Sequence, residues 1–557
     1  MKRIYVNEKW CLGCHLCEYN CAFANSGSDD MVKALKDVRI NPRIRIEEKQ
    51  GISFAVSCRH CAEPLCVKSC ITGALSVDSG VIEVNKDKCV GCYTCIMVCP
   101  YGAIMPGSDG SVIQKCELCT NNAFGEPACV TGCPNKAIVF EERGAKMKYV
   151  IIGNSAAAVG CIEGIRSVDK TGTITVISKE PYHVYSRPLI SYLLYGKTDE
   201  QRMKYRPDSF YEDNGVKALL GVTAEKVDYE QKKVILNNGA QIPFDKLLFA
   251  TGSEPFVPPM AGLDEVEKKF SFMKLDDAKA LQAEINPESR VLIIGAGLIG
   301  LKCAEGILQK VKEVTVVDLA PCILPSVLDE EGSEIVQKHI EEQGVKFCLA
   351  NSVAQFHQNA AILKDGTELA FDLLVVAVGV RPETKLAAAI GCKVNKGILT
   401  DAHRATNLAD VYAAGDCSES LDITVNQQRV LALPTAYMQG ETAGITMAGG
   451  EKRYDKAIPM NAVGFFGLHI VTAGSYDGEA YVVKNGGNYK KMVSKDNLLK
   501  GYILIGDVAR AGIYTSLIRE KTPLDSIDYE LIKEKPQLMA FTATERAVKL
   551  GGTKIED

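Results

Sequence analysis

RVLIIGAGLIG, Arg290 to Gly300, decides the fold of most of this 557-residue chain. Its apolar run reads as a buried parallel strand, and the G-x-G-x-x-G that follows reads as a turn into a helix whose N-terminus receives a pyrophosphate. Gly295 makes the tight turn, Gly297 lets the pyrophosphate approach the backbone, and Gly300 lets the helix lie close to the strand. The next strand, EVTVVD, ends in Asp318, 18 residues past Gly300. An acid there accepts hydrogen bonds from ribose hydroxyls and repels a 2′-phosphate, and no arginine follows directly. The expected ligand is therefore NAD(H) rather than NADP(H).

About 140 residues upstream a second strand–turn–helix opener follows Met147, as KYVIIG. Its turn, GNSAAA (Gly153 to Ala158), departs from the glycine pattern at Ser155 and Ala158, the smallest replacements for glycine. Three later stretches add to it. Ala250-Thr251-Gly252 follows a buried strand in PFDKLLFATGSEP, Gly415 and Asp416 follow another in VYAAGDC, and YSRPLIS, with Arg187, lies after the second strand of this unit. Short strands alternate with helical stretches from residue 147 onward, the signature of α/β units. Beyond about residue 455 no such motif recurs, so a third domain, capping or interfacial, is expected there. A methionine directly before the first strand suggests a gene fusion at that point.

Upstream of Met147 the sequence has another character. Sixteen of the 22 cysteines lie between Cys11 and Cys133, in four groups of four. They are Cys11, Cys14, Cys17 and Cys21; Cys58, Cys61, Cys66 and Cys70; Cys89, Cys92, Cys95 and Cys99; and Cys116, Cys119, Cys129 and Cys133. The third group matches the bacterial C-x-x-C-x-x-C-x-x-x-C-P run of cubane ligands, whose fourth cysteine serves the neighbouring cluster. Zinc also takes C-x-x-C pairs, but four-cysteine groups with a three-residue final gap suit four 4Fe–4S clusters better. His15 and His60 sit inside C-x-x-C loops and are read as groups that pack or bond to sulfur, since each group already has four thiols. RIRIEEKQGISFAV, residues 43–56, alternates around Gln50-Gly51 and predicts a β-hairpin.

Composition bounds the rest. Basic residues are dispersed, with no Lys/Arg block, which excludes a nucleic-acid surface. No apolar run approaches the roughly 18 residues of a membrane span. The start has no apolar h-region, and the cysteine usage is that of ligands rather than disulfides, so a cytoplasmic protein is expected.

The cluster region resembles the four-cluster electron-transfer subunits found with molybdenum oxidoreductases, some hydrogenases and carbon monoxide dehydrogenases. The resemblance implies two fused ferredoxin-like modules with crossed ligation. Cys11, Cys14, Cys17 and Cys133 would hold one cluster, and Cys116, Cys119, Cys129 and Cys21 its neighbour. Cys58, Cys61, Cys66 and Cys99 would hold the third, and Cys89, Cys92, Cys95 and Cys70 the fourth. Spacing alone leaves pairing in sequence order open.

The remainder resembles the two-dinucleotide-binding flavoprotein superfamily, with rubredoxin reductases, NADH oxidases and the flavin part of assimilatory nitrite reductases. That implies FAD in a discontinuous first domain, with Gly153, Ser155 and Ala158 at the pyrophosphate and Asp416 on the ribityl chain. Arg187, Thr251, Gly252 and Gly415 would complete the site, and Glu180 is the acid available for the FAD ribose. NADH would occupy the inserted domain, closed by LLVVAVGVRPE with Gly379; LDEE at 328–331 also matches relatives. Where relatives often carry Glu, this chain has Lys302, either a cation near the flavin or a solvated residue. Disulfide reductases of the superfamily carry a redox cysteine after the second strand, and EPYHVYSRPLISYLL has none. The other six cysteines, Cys417 beside Asp416 among them, read as small buried residues.

The expected architecture is thus α/β: a double ferredoxin-like region (1–146), an FAD domain (147–270 and 385–454), an NAD domain (271–384) and a C-terminal interface domain (455–557). The expected function is electron exchange between NADH, FAD, four 4Fe–4S clusters and an external redox protein, with no side chain as catalytic acid or base. The cluster resemblance points to carbon monoxide dehydrogenase as that partner, with formate dehydrogenase and hydrogenase as other candidates. Two alternatives remain open, an NADH-dependent small-molecule reductase and a wiring subunit of a larger complex. Homodimer and hetero-complex are both compatible with the sequence.

Overall fold

The computed structural model describes residues 2–36, 41–61, 63–107, 112–119, 126–141, 146–431 and 435–551. The chain forms two compact units, Met1–Ala145 and Lys146–Asp557.

In the first unit short hairpins and helices of four to nine residues surround two small cores. The expected hairpin is present: Ile44–Lys49 pairs with Ile52–Ser57. Gln50 and Gly51 between them both have positive φ, 51° and 79°, as a two-residue turn matched to strand twist requires. Strand Arg3–Val6 pairs with Ile138–Glu141 and so closes the first cysteine group onto the last. One core joins Ile4, Ile44 and Ile138 to Cys17, Cys21, Cys116 and Cys129. The other joins Leu75, Ile82, Ile104 and Ile113 to Cys66 and Cys95. Much of each core is sulfur, which is how a domain this short replaces missing hydrocarbon.

The second unit contains two sheets of one plan. In the first, strands Val216–Leu220, Thr173–Ser178, Lys148–Ile152, Lys246–Phe249 and Val411–Ala413 lie parallel in that order. In the second, Lys269–Phe270, Leu373–Val376, Arg290–Ile294, Glu313–Val317 and Lys346–Cys348 do the same. Each sheet carries a three-stranded antiparallel meander, Ala224–Pro243 in the first and Val353–Ala370 in the second. The opening strand of each is buried almost throughout, so both faces are covered.

One boundary differs from the sequence reading. Residues 269–270 were assigned to the FAD domain, but Lys269 and Phe270 pair with Leu374 and Val375 of the second sheet. The chain leaves the first sheet at Ser253–Pro255, which pairs antiparallel with the returning Val380–Pro382. A two-residue strand has no period to read, so its sheet could not be assigned from pattern.

A five-stranded antiparallel sheet (Met460–Ile505) follows, and helix Ala511–Glu520 packs against its strand Leu498–Ile505. Phe465, Ile470, Tyr489, Ile503 and Ile505 of this sheet share a core with Leu301, Ile307 and Val336 of the second nucleotide unit. No described helix is long and apolar enough to cross a membrane.

Candidate functional site

The turn at Gly295 shows three different uses of glycine. Gly295 has φ +114°, and a Cβ there would sit 2.4 Å from the Ala377 carbonyl oxygen. A Cβ on Gly300 would sit 2.0 Å from the Gly295 carbonyl oxygen, so this glycine seats the helix on its own strand. A Cβ on Gly297 would meet nothing within 4 Å. Gly297 is also the N-cap of helix Leu298–Ile307, with no side-chain cap. Open space thus faces uncapped N–H groups at a helix N-terminus, the arrangement that receives a pyrophosphate. Asp318 stands beside it: Ala296 N–H donates to Oδ2 at 2.6 Å and Ala320 N–H to Oδ1 at 2.8 Å. The acid is held in register with the turn and keeps lone pairs for a ribose. Gly379 (φ +135°) follows strand Leu373–Val376, with open space where its Cβ would be.

The turn at Gly153 repeats the first use. Gly153 has φ +117°, and a Cβ would lie 2.0 Å from the Ala250 carbonyl oxygen. Ser155 is the N-cap of helix Ala156–Val168 and its hydroxyl makes no capping bond. Ala158 is fully buried. Gly252 (φ +69°) faces open space, and Thr251 Oγ1 donates to the Glu383 carbonyl at 2.6 Å, tying this turn to the returning chain. Gly415 (φ +81°) donates its N–H to Gln439 Oε1 at 2.9 Å, and Gln439 is fully buried. Asp416 comes next in the turn, and it and Arg187 are brought together. Burial works against the Arg187 charge, while Tyr185, Glu180 and then Asp416 hold it on, so the guanidinium stays protonated.

Glu180 does not stand as an open ribose acid. Its carboxylate is buried and accepts from Tyr185 Oη at 2.6 Å and from Arg187. Tyr185 Oη in turn accepts the Leu275 N–H at 3.0 Å. Both carboxylate oxygens have protein partners, and the geometry is that of an anchor for Arg187. Lys302 is not the solvated residue that one of its two readings expects. It pairs with Glu305, donates to the Gly464 carbonyl at 3.1 Å and lies over the Tyr192 ring. Glu305 also accepts the Phe466 N–H at 2.8 Å. The cation is spent on docking the C-terminal sheet.

Pattern reading missed a pair of helices behind the first turn. Ala156–Val168 and Ala436–Met447 touch backbone to backbone. A Cβ on Gly160 would lie 2.2 Å from the Tyr437 oxygen, on Gly164 2.4 Å from Glu441, on Gly440 1.9 Å from Ala157 and on Gly444 2.2 Å from Cys161. The signal was available as two i, i+4 glycine pairs. Cys161, Cys303 and Cys417 are fully buried, and burial pushes each thiol up, so they are inert small core residues. All 22 cysteines are free thiols.

In the first unit the sixteen cysteines come together across groups. Cys17 lies within electrostatic reach of Cys11 and Cys133, and Cys21 of Cys119. Cys66 lies so beside Cys58 and Cys99, and Cys95 beside Cys70 and Cys89. Burial, more than this mutual repulsion, pushes Cys17 up to about 12 and Cys95 to about 11. Cys11, Cys14, Cys17 and Cys133 line one recess, and Cys70, Cys89, Cys92 and Cys95 another. Four sulfurs spread around a cavity fit a cubane, with one thiolate per iron; a zinc ion needs all four about 2.3 Å from one centre. Among the described residues no three His, Cys, Asp or Glu side chains converge on a single-ion site.

The loops show a backbone feature that spacing does not reveal. His15, His60, Tyr93 and Leu118, one in each cysteine group, have φ of 58°, 44°, 58° and 57°. Left-handed residues in such loops turn successive N–H groups toward one side, a concavity for anionic sulfur. The N–H groups of Arg43 and Leu118 reach the sulfurs of Cys21 at 3.3 Å and Cys116 at 3.4 Å. His15 donates from Nδ1 to the Glu18 carboxylate, 2.5 Å away, and is held above its ordinary value chiefly by that bond. His60 is buried, and burial pushes it down to about 3.

Two like-built nucleotide sheets, each with its glycine turn, an antiparallel third domain and a thiol-lined N-terminal unit define an FAD- and NAD-binding oxidoreductase with a 4Fe–4S domain. The chain belongs to the pyridine nucleotide-disulphide oxidoreductase family, whose model matches residues 147–440. A 4Fe-4S dicluster domain matches residues 50–143 and the rubredoxin NAD+ reductase C-terminal domain residues 459–522. The dicluster match leaves the first cysteine group outside it. The chain is 31% identical over 390 residues to the NADH-dependent phenylglyoxylate dehydrogenase subunit epsilon of Aromatoleum evansii, covering 68% of this chain and 92% of the relative. It is 32% identical to a nitrite reductase (NAD(P)H) of Bacillus subtilis (strain 168) over 68% of this chain, but spans only 48% of that protein. Among solved structures, the covalent putidaredoxin reductase–putidaredoxin complex shares the fold, with a TM-score of 0.66 at 21% identity over 73% of this chain and 99% of that one.

Proposed function

We propose that the chain exchanges electrons between NADH and an external redox protein, using FAD in the first nucleotide unit and four 4Fe–4S clusters in the N-terminal unit. The observation that carries this is sixteen thiols in one N-terminal unit, with neighbours drawn from different cysteine groups, on a chain whose flavoprotein part has no cysteine between Glu180 and Leu194. A bound flavin exchanges hydride pairs for single electrons, which clusters carry one at a time.

The protein's own residues bind and orient. Gly153, Ser155 and Ala158 would receive the FAD pyrophosphate, with Arg187, Thr251, Gly252, Gly415 and Asp416 around the remainder and Glu180 fixing Arg187. Gly295, Gly297 and Gly300 would receive the NAD pyrophosphate, Asp318 the adenosine ribose, and Gly379 would border the nicotinamide side. The tetrads Cys11/Cys14/Cys17/Cys133, Cys116/Cys119/Cys129/Cys21, Cys58/Cys61/Cys66/Cys99 and Cys89/Cys92/Cys95/Cys70 would each hold one cluster. The name of the phenylglyoxylate dehydrogenase relative, an NADH-dependent subunit, supports a place in a larger dehydrogenase. Carbon monoxide dehydrogenase is a second partner of suitable chemistry, and formate dehydrogenase and hydrogenase are others. Free thiol ligands suit the cytoplasm.

Anaerobic purification with iron, sulfide and flavin counts tests the reading, followed by NADH titration watched by EPR. About sixteen irons, one FAD and NADH-reducible cluster signals are expected. A flavin that NADH bleaches while every cluster stays oxidised would contradict the reading.

A further inference from the structure

Lys115 is 1% exposed, yet among the described residues no carboxylate pairs with it. Its Nζ donates to two neutral acceptors, the carbonyls of Ile82 and, at 2.7 Å, Cys116. Lysine is almost never buried so fully without a counter-charge, because desolvating a lone ammonium is costly. The other cation beside the inner cysteines behaves ordinarily: the Arg43 guanidinium is matched by Glu117 at 2.7 Å.

What surrounds Lys115 is sulfur. Burial pushes the thiols of Cys58, Cys66 and Cys116 up, and Lys115 is a cation that opposes this at all three. These cysteines belong to the two inner tetrads, and Cys116 lies within reach of Cys58 across the divide. The recesses of the two outer tetrads are lined by no lysine or arginine. A second buried group held by Ile82 is also left with an unmatched donor. His60, 1% exposed, accepts the Ile82 N–H on Nδ1 at 3.0 Å, which puts the ring proton on Nε2. Among the described residues Nε2 has no hydrogen-bond partner. The backbone of Ile82 thus holds Lys115 by its carbonyl and His60 by its N–H, and each presents unmatched positive character inside a core of cysteines.

We propose that Lys115 is the fixed counter-charge shared by the two inner clusters, those of Cys58/Cys61/Cys66/Cys99 and Cys116/Cys119/Cys129/Cys21, and that it raises their reduction potentials selectively. A cubane with four thiolates is anionic and becomes more so on reduction, so a buried cation favours the reduced form. His60 Nε2–H would find its acceptor in the same anionic sulfur. The inference rests on the four-cluster reading and makes the relay uneven along its length: electrons settle on the inner pair and the outer pair exchanges them with partners.

The test is EPR-monitored potentiometry of the full chain with Lys115→Gln, which keeps a donor for the two carbonyls and removes the charge, and with Lys115→Arg, which restores it. Iron counts are taken on each. The Gln variant should lower the midpoints of two clusters and leave two unchanged. The expected shift is at least tenfold in the equilibrium constant, or 59 mV for a one-electron couple; the Arg variant should recover it. Selective loss of half the iron in the Gln variant, with full retention in the Arg variant, would equally support the charge. A fully loaded Gln variant with unchanged midpoints, or equal iron loss in both variants, overturns the inference and leaves the four-cluster reading intact. Fewer than four clusters in the unaltered protein would overturn both.

Discussion

The two nucleotide units share one strand order and differ in where they place their small residues. At the second unit all three glycines lie in one turn, and Gly300 brings its helix against the strand that precedes it. At the first unit the matching position is the fully buried Ala158, and glycines instead line the contact of its helix with a second helix. There Gly160 and Gly164 lie against the backbone of Tyr437 and Glu441 of the second helix, whose Gly440 and Gly444 lie against that of Ala157 and Cys161. Close approach of helices is set by the side chains at the contact, and here the contact has none. The positive-φ glycine is common to both units because it meets a carbonyl of the neighbouring strand in each, Ala250 in one and Ala377 in the other. A turn of this kind therefore requires its first glycine; the third can be exchanged for a glycine elsewhere.

The largest effect should come from breaking the shared feature. Gly153→Ala and Gly295→Ala each place a Cβ on a backbone oxygen in a φ region that alanine avoids, at 2.0 and 2.4 Å. Strain on the order of 1–3 kcal/mol adds to the clash. Gly153→Ala should purify without FAD. Gly295→Ala should keep FAD that dithionite bleaches and NADH does not. Flavin absorbance before and after each reductant reads both, and equal loss of FAD in the two variants would show that the units are not separate sites.

A smaller effect should follow from the features that differ. Gly440→Ala puts a Cβ 1.9 Å from the Ala157 oxygen and must push the helix pair apart. Overpacking of this kind costs about 1–3 kcal/mol, so thermal unfolding should shift down by several degrees and FAD content should fall. NADH affinity of the protein that retains FAD should not change. Gly300→Ala should show the opposite pattern, with weaker NADH binding and full FAD content. If Gly440→Ala leaves flavin retention untouched, the second helix is not the support of the first turn.

The parts of this molecule that were legible in sequence are those where chemistry dictates both residue type and spacing. Sixteen thiols and the Gly295–Asp318 stretch are of that kind. That the first cysteine group lies near the last was not legible in spacing, since it depends on the two ends of the N-terminal unit pairing through Arg3–Val6 and Ile138–Glu141. The partners of Glu180 were not legible because a strand-end acid looks the same whether it faces ligand or protein, and the residues that engage it, Tyr185 and Arg187, fold back only in three dimensions. Lys302 was undecidable because its partners come from Glu305 on its own helix and Gly464 about 160 residues away. The glycine pairs of the two helices could have been noticed, but each alone reads as a weak helix.

The smallest effect concerns how the second unit holds the C-terminal sheet, a contact the first unit has no counterpart for at LDEE. Asp329 caps helix Glu330–Glu341 through the Gly332 N–H at 2.9 Å and accepts from Tyr489 and Lys491, both at 2.7 Å. Burial pushes this carboxyl up, but Lys491, Tyr489 and the Gly332 N–H outweigh it and hold it below the ordinary range. A depressed folded value means that the group stabilises fully above its unfolded value, about 3.9, and loses that contribution as pH falls through the folded value. Asp329→Asn keeps the shape and removes the charge. Amide exchange in the first turn of the helix and in strand Asn488–Lys495 should be faster in the variant at pH 7, and the difference should shrink as the pH is taken below about 4. A difference that stays constant across that range would mean that the carboxylate charge contributes nothing and that the cap alone joins helix to sheet.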